Sequence, residues 1–134
     1  MNEINLCPCN SGKLYVDCCQ PLHLNAQNAL TAEQLMRSRY CAFVLHDADY
    51  LLRTWHPRTR PQTIEFEKNI VWTGLNINGR KQGRKKDQQG WVTFVAHYRV
   101  VDLEEPPQTG HLHETSFFSR DSAGHWYYED GQIK

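Results

Sequence analysis

The chain has 134 residues, 40% hydrophobic and 11% aromatic, so it can form one ordinary domain with a small appendage. Fifteen Lys and Arg residues balance fifteen Asp and Glu residues, and this neutral net charge gives no overall indication of nucleic-acid or membrane binding. No segment reaches the apolar length of a membrane span, so we expect no transmembrane helix.

Four of the five cysteines lie within the first nineteen residues. Cys7 and Cys9 form a Cys-x-Cys pair, and Cys18 and Cys19 follow after eight intervening residues. Turn-forming residues between the pairs would let the segment fold back so that the pairs meet. Thiolates are soft ligands that suit zinc, and four of them would make a closed structural site. The pattern therefore favours a zinc knuckle.

The spacing of the cysteines matches neither the common ferredoxin runs nor the usual spacing of paired zinc ligands. Spacing alone therefore does not exclude disulfides or an iron–sulfur cluster. His23 could replace one thiol, but four cysteines suffice, so we expect His23 beside the site or at the surface. Residues Met1–Leu6 have no basic start and no apolar stretch, so we expect no signal peptide. Free thiols without a leader predict a cytoplasmic protein.

The cysteine run resembles the SEC-C motif, the small zinc-binding tail of the bacterial preprotein translocase ATPase. That motif has a Ser-Gly pair and an aromatic residue in the same places, here Ser11, Gly12 and Tyr15. The resemblance implies that the four cysteines bind Zn²⁺ and that the knuckle contacts a protein or ribosomal partner. Asn10 stands where the motif usually has glycine, but asparagine tolerates a left-handed backbone. We expect metal removal to unfold the knuckle and leave the rest folded.

Helical periodicity begins after a linker at Pro21–Ala29. Thr31 and Gln34 fit a capping box that opens a helix running to about His46. The apolar residues of this helix recur at spacings of three and four and predict one buried stripe. They are Leu35, Met36, Tyr40, Phe43 and Val44.

Two shorter helical elements are expected next. Asp47 should cap a second helix that ends before Pro57, and a third helical turn is expected around Thr63–Asn69. From Ile70 the hydrophobic period becomes two, which predicts four strands. These are Ile70–Asn78, Trp91–Asp102, Leu112–Arg120 and Trp126–Asp130. Gly74 suggests a bulge in the first strand.

Helices followed by consecutive strands predict an α+β domain with the helices packed on one face of a curved antiparallel sheet. Several segments of this part of the chain resemble the YchJ family of bacterial proteins. They are Leu35–Tyr40, Tyr50–Leu52, Thr54–Pro57, His113–Glu114 and Trp126–Tyr128.

The YchJ resemblance implies a SEC-C knuckle over residues 1–24 and a cone-shaped domain of the nuclear transport factor 2 or ketosteroid isomerase type (nuclear transport factor 2-like, cystatin-like) over residues 30–134. It also allows a dimer through the outer sheet face. It implies little about activity, because this cone occurs in isomerases, dehydratases, hydrolases and binding proteins.

Eight residues are candidates to line a pocket in the cone: Arg39, Tyr40, Trp55, His56, His97, Glu114, Trp126 and Tyr128. Arg39 would hold an anion or pair with a sheet carboxylate. His56 is suited to general-base chemistry near neutral pH, and equally to capping the end of a helix. His97 or Glu114 is a candidate base. No nucleophile elbow, phosphate loop or metalloprotease motif is present.

The segment between the first two strands is locally basic, with Arg80, Lys81, Arg84, Lys85 and Lys86 near one acid. This basic cluster has two interpretations. It is either a solvated loop that protects the sheet edge or a loop that contacts RNA phosphates.

The sequence therefore predicts a zinc-binding cytoplasmic binding or adaptor protein, with a ligand pocket in the cone. An enzyme of the ketosteroid isomerase type is the first alternative, and RNA binding through the basic loop is the second.

Overall fold

The computed structural model describes residues 5–102 and 104–133. Residues 1–4 and residue 134 lie outside this description. The first four belong to the N-terminal segment in which no signal peptide is expected. A 3-10 turn at Tyr15–Asp17 precedes three helices and four strands. The helices are α1 (Gln20–His23), α2 (Ala32–Leu45) and α3 (Ala48–Arg53). The strands are β1 (Ile70–Gln82), β2 (Gln89–Asp102), β3 (Glu105–Arg120) and β4 (Trp126–Ile133).

The four strands form one antiparallel sheet in the order β1-β2-β3-β4, which confirms the predicted α+β class and meander. Helix α2 packs against β1, β2 and β4. The β1–β2 register shifts between Trp72 and Gly74, as expected from the glycine, and the β3–β4 register shifts between Phe117 and Phe118. Such shifts bend strands, so the sheet curves around α2.

The predicted caps set the starts of α2 and α3. Thr31 Oγ1 accepts a hydrogen bond from the Gln34 amide at 3.1 Å, and Asp47 Oδ1 accepts one from the Tyr50 amide at 3.1 Å. Helix α2 ends at His46, which has a left-handed φ of 58°. These local signals explain why both helix starts match the sequence prediction.

The expected helical turn at Thr63–Asn69 is wrong, because this segment contains no helix. Ile64 and Phe66, two positions apart, both pack against the core, which requires an extended chain. The Phe66 ring stacks on His46 with ring centroids 4.5 Å apart.

Three connecting segments are also more regular than expected. The linker at Pro21–Ala29 begins within α1, where Pro21 occupies the first turn. Residues 79–82 and 105–110, which lie between the predicted strands, belong to β1 and β3. The polar side chains of Arg80, Lys81 and Gln82 are exposed and suit a solvent-facing hairpin arm as well as a loop, so composition does not separate the two.

The N-terminal cysteines belong to the main core. Cys7, Cys9 and Cys19 are buried in the same apolar cluster as Leu35 of α2 and Phe118 of β3. Among the described residues, no helix has the length and apolarity needed to cross a membrane.

Candidate functional site

The sulfur atoms of Cys7, Cys9, Cys18 and Cys19 all lie within 4.8 Å of one another. The Cys9–Cys18 sulfur distance is 3.6 Å and the Cys18–Cys19 distance is 3.9 Å. A tetrahedral site with metal–sulfur bonds of roughly 2.3 Å places its sulfurs about 3.8 Å apart. All five cysteines, each among the described residues, are free thiols. The cluster is therefore compatible with binding a metal ion.

The thiols differ in electrostatic environment. Burial raises the pKa of Cys18 to about 11, although Ser11 Oγ lies 3.2 Å from its sulfur. The pKa of Cys7 is lowered, because the neighbouring thiols of Cys19, Cys41 and Cys9 donate hydrogen bonds to its thiolate. Buried thiolates repel one another, so ionising all four requires a cation at the centre.

The turn that carries Cys9 is fixed against the domain by two hydrogen bonds. Asn10 has a left-handed φ of 64°, and its Oδ1 accepts a hydrogen bond from the Leu75 amide at 2.8 Å. Arg37 Nη1 on α2 donates to the Cys9 carbonyl at 2.7 Å. The four-cysteine cluster is thereby held against both α2 and β1.

His23 is buried and connects the knuckle to α2. Its Nε2–H donates to the Ser38 carbonyl at 2.8 Å, and Tyr15 donates its hydroxyl to Nδ1 at 2.7 Å. The histidine lies outside the group of four sulfur ligands.

Sequence reasoning did not place Cys41 beside the four-cysteine cluster. This residue of α2 is fully buried, and its sulfur lies 3.6 Å from that of Cys7. The helical stripe predicts that Cys41 is near the core face, but no sequence signal identifies what packs there.

A cavity of about 250 Å³ lies between α2 and the concave face of the sheet. Its walls are mainly aromatic and aliphatic. They comprise Met36, Arg39, Tyr40, Phe43, Trp55, Trp72, Phe94, Ala96, Leu112, Glu114, Ser116 and Tyr128.

Five of the eight candidate pocket residues line this cavity: Arg39, Tyr40, Trp55, Glu114 and Tyr128. His56 lies outside it, where Nδ1 accepts a hydrogen bond from the Arg58 amide at 3.1 Å. His97 is exposed, and its Nε2 lies 2.8 Å from Asn76 Oδ1. Trp126 lines a separate, smaller cavity and donates from Nε1 to the Leu30 carbonyl at 3.2 Å.

Arg39 is only 4% exposed and lies in the cavity wall. Its Nη1 donates to the Leu51 carbonyl at 2.8 Å and to Thr54 Oγ1 at 2.7 Å. The guanidinium carbon is 4.6 Å from the centre of the Tyr128 ring and 5.1 Å from that of Trp55. Burial lowers the pKa of Arg39 to about 10, so it remains a cation at neutral pH.

The remaining polar groups of the cavity are few. Glu114 Oε2 accepts a hydrogen bond from Ser116 Oγ at 2.7 Å. Burial raises the pKa of Tyr40 and of Tyr128 to about 12, so both phenols are neutral at physiological pH. Within the described residues, Trp55 Nε1 is buried and has no hydrogen-bond partner.

Three of the five basic residues of the β1–β2 hairpin contact other side chains of the protein. Arg80 pairs with Glu33, Arg84 pairs with Asp87 at 2.9 Å, and Lys81 lies 5.0 Å from the centre of the Trp91 ring. Lys85 and Lys86 form no ion pair within the part of the chain that the structure describes.

Comparisons with known proteins agree with this architecture. The family described as "YchJ, middle NTF2-like domain" matches residues 31–131, and the SEC-C motif matches residues 5–21. A UPF0225 protein from Streptomyces avermitilis is 48% identical over 127 residues, covering 95% of this chain and 84% of the relative. A UPF0225 protein from Chromobacterium violaceum is 41% identical, covering 95% and 92%.

Two solved structures share the fold. A SEC-C motif containing protein from Rhodopseudomonas palustris superposes with a TM-score of 0.76 at 33% identity, covering 100% of this chain and 99% of that one. Another from Psychrobacter arcticus gives a TM-score of 0.68 at 29% identity, covering 96% and 82%. The chain therefore belongs to the YchJ-like UPF0225 family, which joins a SEC-C motif to an NTF2-like domain.

Proposed function

We propose that this protein is a zinc-stabilised binding protein whose cone cavity holds a small, flat and largely apolar molecule. The observation that carries the proposal is the aromatic cavity between α2 and the sheet. Small-molecule sites are typically concave and apolar, with a few polar groups that fix the orientation of the ligand. The cavity has this composition.

The size of the cavity limits the ligand. Its volume of about 250 Å³ is just below the roughly 300–1,000 Å³ of ordinary ligand pockets, which suits a molecule of one or two rings. The walls present ring edges and faces, including a perpendicular Tyr40–Trp72 pair whose centroids are 6.3 Å apart. Such walls favour a flat aromatic ligand.

Zinc is proposed as the metal because four thiolates in tetrahedral spacing are the usual ligands of structural zinc. A closed Cys₄ site leaves no position for a substrate. The metal would therefore hold the N-terminal segment, while the cone domain binds the ligand.

The test is titration of the zinc-loaded protein with 2-naphthol, a flat probe that is neutral at pH 7, followed by tryptophan fluorescence and calorimetry. Binding at one site per chain is expected, with quenching because Trp55 and Trp72 line the cavity. Ala96→Phe should abolish binding, since Ala96 faces the cavity and the new ring fills it. Ala123→Phe, in the exposed β3–β4 turn, is the matched control.

Binding of 2-naphthol that is equally strong in wild type and in Ala96→Phe would contradict the proposal, as would no binding at all.

An isomerase-type enzyme remains the alternative. The observation in its favour is that Glu114, a possible base, lines the cavity. A protein or ribosomal partner for the knuckle stays a prediction of the SEC-C resemblance. Exposed Leu6 and Val16 on the knuckle, 58% and 54% accessible, support a contact surface there.

A further inference from the structure

We propose that the ligand of the cone cavity is an aromatic acid whose anionic group binds Arg39 and the Trp55 indole N–H. This inference rests on the proposed function and adds the chemical class of the ligand. It follows from two groups in one wall that can only donate hydrogen bonds. The chain satisfies the first of them only in part and the second not at all.

The first group is the Arg39 guanidinium. A buried cation is costly unless it is paired with a negative charge. Arg39 forms no ion pair with any described residue. Two neutral oxygens, two aromatic faces and the more distant charge of Glu114 stabilise it in part. The hydrogen bonds that Arg39 makes to described residues run through Nη1, so part of the guanidinium is left for an acceptor.

The second group is the Trp55 indole. Its Nε1–H is buried without a partner, and buried polar groups of native proteins are nearly always satisfied. The Arg39 guanidinium carbon lies 5.1 Å from the centre of this ring. A carboxylate within reach of both groups would accept from both, and its plane matches the guanidinium fork.

Glu114 is the acidic residue of the same cavity and would repel an anion placed close to it. Its carboxylate, however, is directed towards β4, where it accepts from Ser116 Oγ and crosses the backbone of Gly131. A Cβ at Gly131 would lie 2.5 Å from Glu114 Oε2, so the absence of a side chain there makes room for this arrangement. The acid group of the ligand therefore belongs at the Arg39 end.

The experiment compares 2-naphthoate with its neutral isostere 2-naphthamide by calorimetry on the zinc-loaded full chain at pH 7. The two probes have the same ring system and differ in charge. We expect 2-naphthoate to bind at least tenfold more tightly. Arg39→Met should remove this preference, while Arg99→Met, which removes an exposed cation from β2, should leave it unchanged.

Two further variants keep the test decisive if Arg39→Met fails to fold. Trp55→Phe keeps an aromatic side chain, although a smaller one, and removes the N–H, so it should weaken 2-naphthoate several-fold more than 2-naphthamide. Glu114→Gln should strengthen 2-naphthoate, because a nearby negative charge is lost.

Equal binding of the two probes would overturn the acid inference and leave the cavity function standing. Failure of 2-naphthol, 2-naphthamide and 2-naphthoate alike would overturn both.

Discussion

At the scale of single residues, Asn10 joins the cysteine turn to the sheet. Its backbone takes the left-handed conformation that the SEC-C motif usually assigns to glycine, and its side chain accepts a hydrogen bond from the Leu75 amide at 2.8 Å. Glycine would allow the same turn but could not supply the bond. The sequence predicts the tolerated backbone; the contact with a strand 65 positions away appears only in the fold.

Replacing Asn10 should therefore separate these two roles. Asn10→Ala removes the acceptor for a backbone N–H, which should lower the free energy of unfolding by about 1–3 kcal/mol. It also places a Cβ-bearing residue without a polar side chain in a left-handed conformation, which should cost about 1 kcal/mol more. Asn10→Asp keeps an acceptor and tolerates the backbone, so its cost should stay below about 1 kcal/mol. Urea unfolding of both variants measures the difference. Equal stability of the two would show that the bond to Leu75 contributes nothing.

At the scale of elements, sequence signals fix the starts of α2 and α3 but not the lengths of the strands. Thr31 and Asp47 act within one helical turn, so their effect is local and predictable. Strand ends depend on the partner strand. The polar arm at residues 79–82 pairs with β2, a contact between segments that single-segment periodicity does not contain. The same limit explains the segment at 63–69, whose extended form depends on the packing of Phe66 against α2.

The same limit applies to the pocket. Arg39, Trp55 and Glu114 are each plausible from the sequence, but their convergence on one cavity depends on how α2, the end of α3 and β3 pack together. His97 is the reverse case. It alternates along β2 with Ala96, which lines the cavity, so it lies on the opposite face and is exposed.

Helix α2 is joined to β1 by an ion-pair network at Glu33, which contacts Arg37 at 2.9 Å and also Arg80. Partial burial opposes ionisation of Glu33, but the hydrogen bonds and charges of the two arginines outweigh it and lower the pKa of the carboxyl. A lowered pKa in the folded state means that the stabilisation is complete above the ordinary pKa of glutamate and is lost as the pH falls through the lowered value.

A double-mutant cycle of Glu33→Gln and Arg80→Met should therefore give a coupling free energy of about 0.5–1 kcal/mol, because the pair is partly solvent-exposed. The coupling should be the same at pH 7 and pH 5.5, both above the titration range of the carboxylate. Glu65→Gln, an exposed residue of the connecting segment, is the control for a simple change of charge. A coupling that disappears at pH 5.5 would contradict the lowered pKa.

At the scale of the whole molecule, the knuckle and the cone domain share one buried core. Arg53 of α3 donates to the carbonyls of Leu22 and His23 at 3.0 and 2.9 Å, and His23 in turn binds the Ser38 carbonyl of α2. From the sequence, the knuckle is expected to unfold alone when the metal is removed. These contacts favour a different outcome, because loss of the cysteine turn would also expose the core face of α2.

Chelation should accordingly lower the stability of the entire chain. Structural zinc contributes roughly 10–16 kcal/mol in zinc-finger peptides, as much as the total stability of an ordinary domain, about 5–15 kcal/mol. We expect metal analysis to give one zinc per chain, and chelator to lower the midpoint of thermal unfolding by more than about 10 °C. Far-ultraviolet circular dichroism of the helices and fluorescence of the cavity tryptophans should report a single transition.

Cysteine variants supply the controls for this experiment. Cys18→Ser removes one of the four clustered thiols and should reproduce the effect of chelation, whereas Cys41→Ala retains all four and should keep one zinc per chain. Two separate transitions after chelation, with the cavity tryptophans unfolding at the original temperature, would show instead that the domain folds independently. In that case the buried contacts of Cys7 and Cys9 would be packing without thermodynamic coupling, and ligand binding in the cone would not depend on the metal.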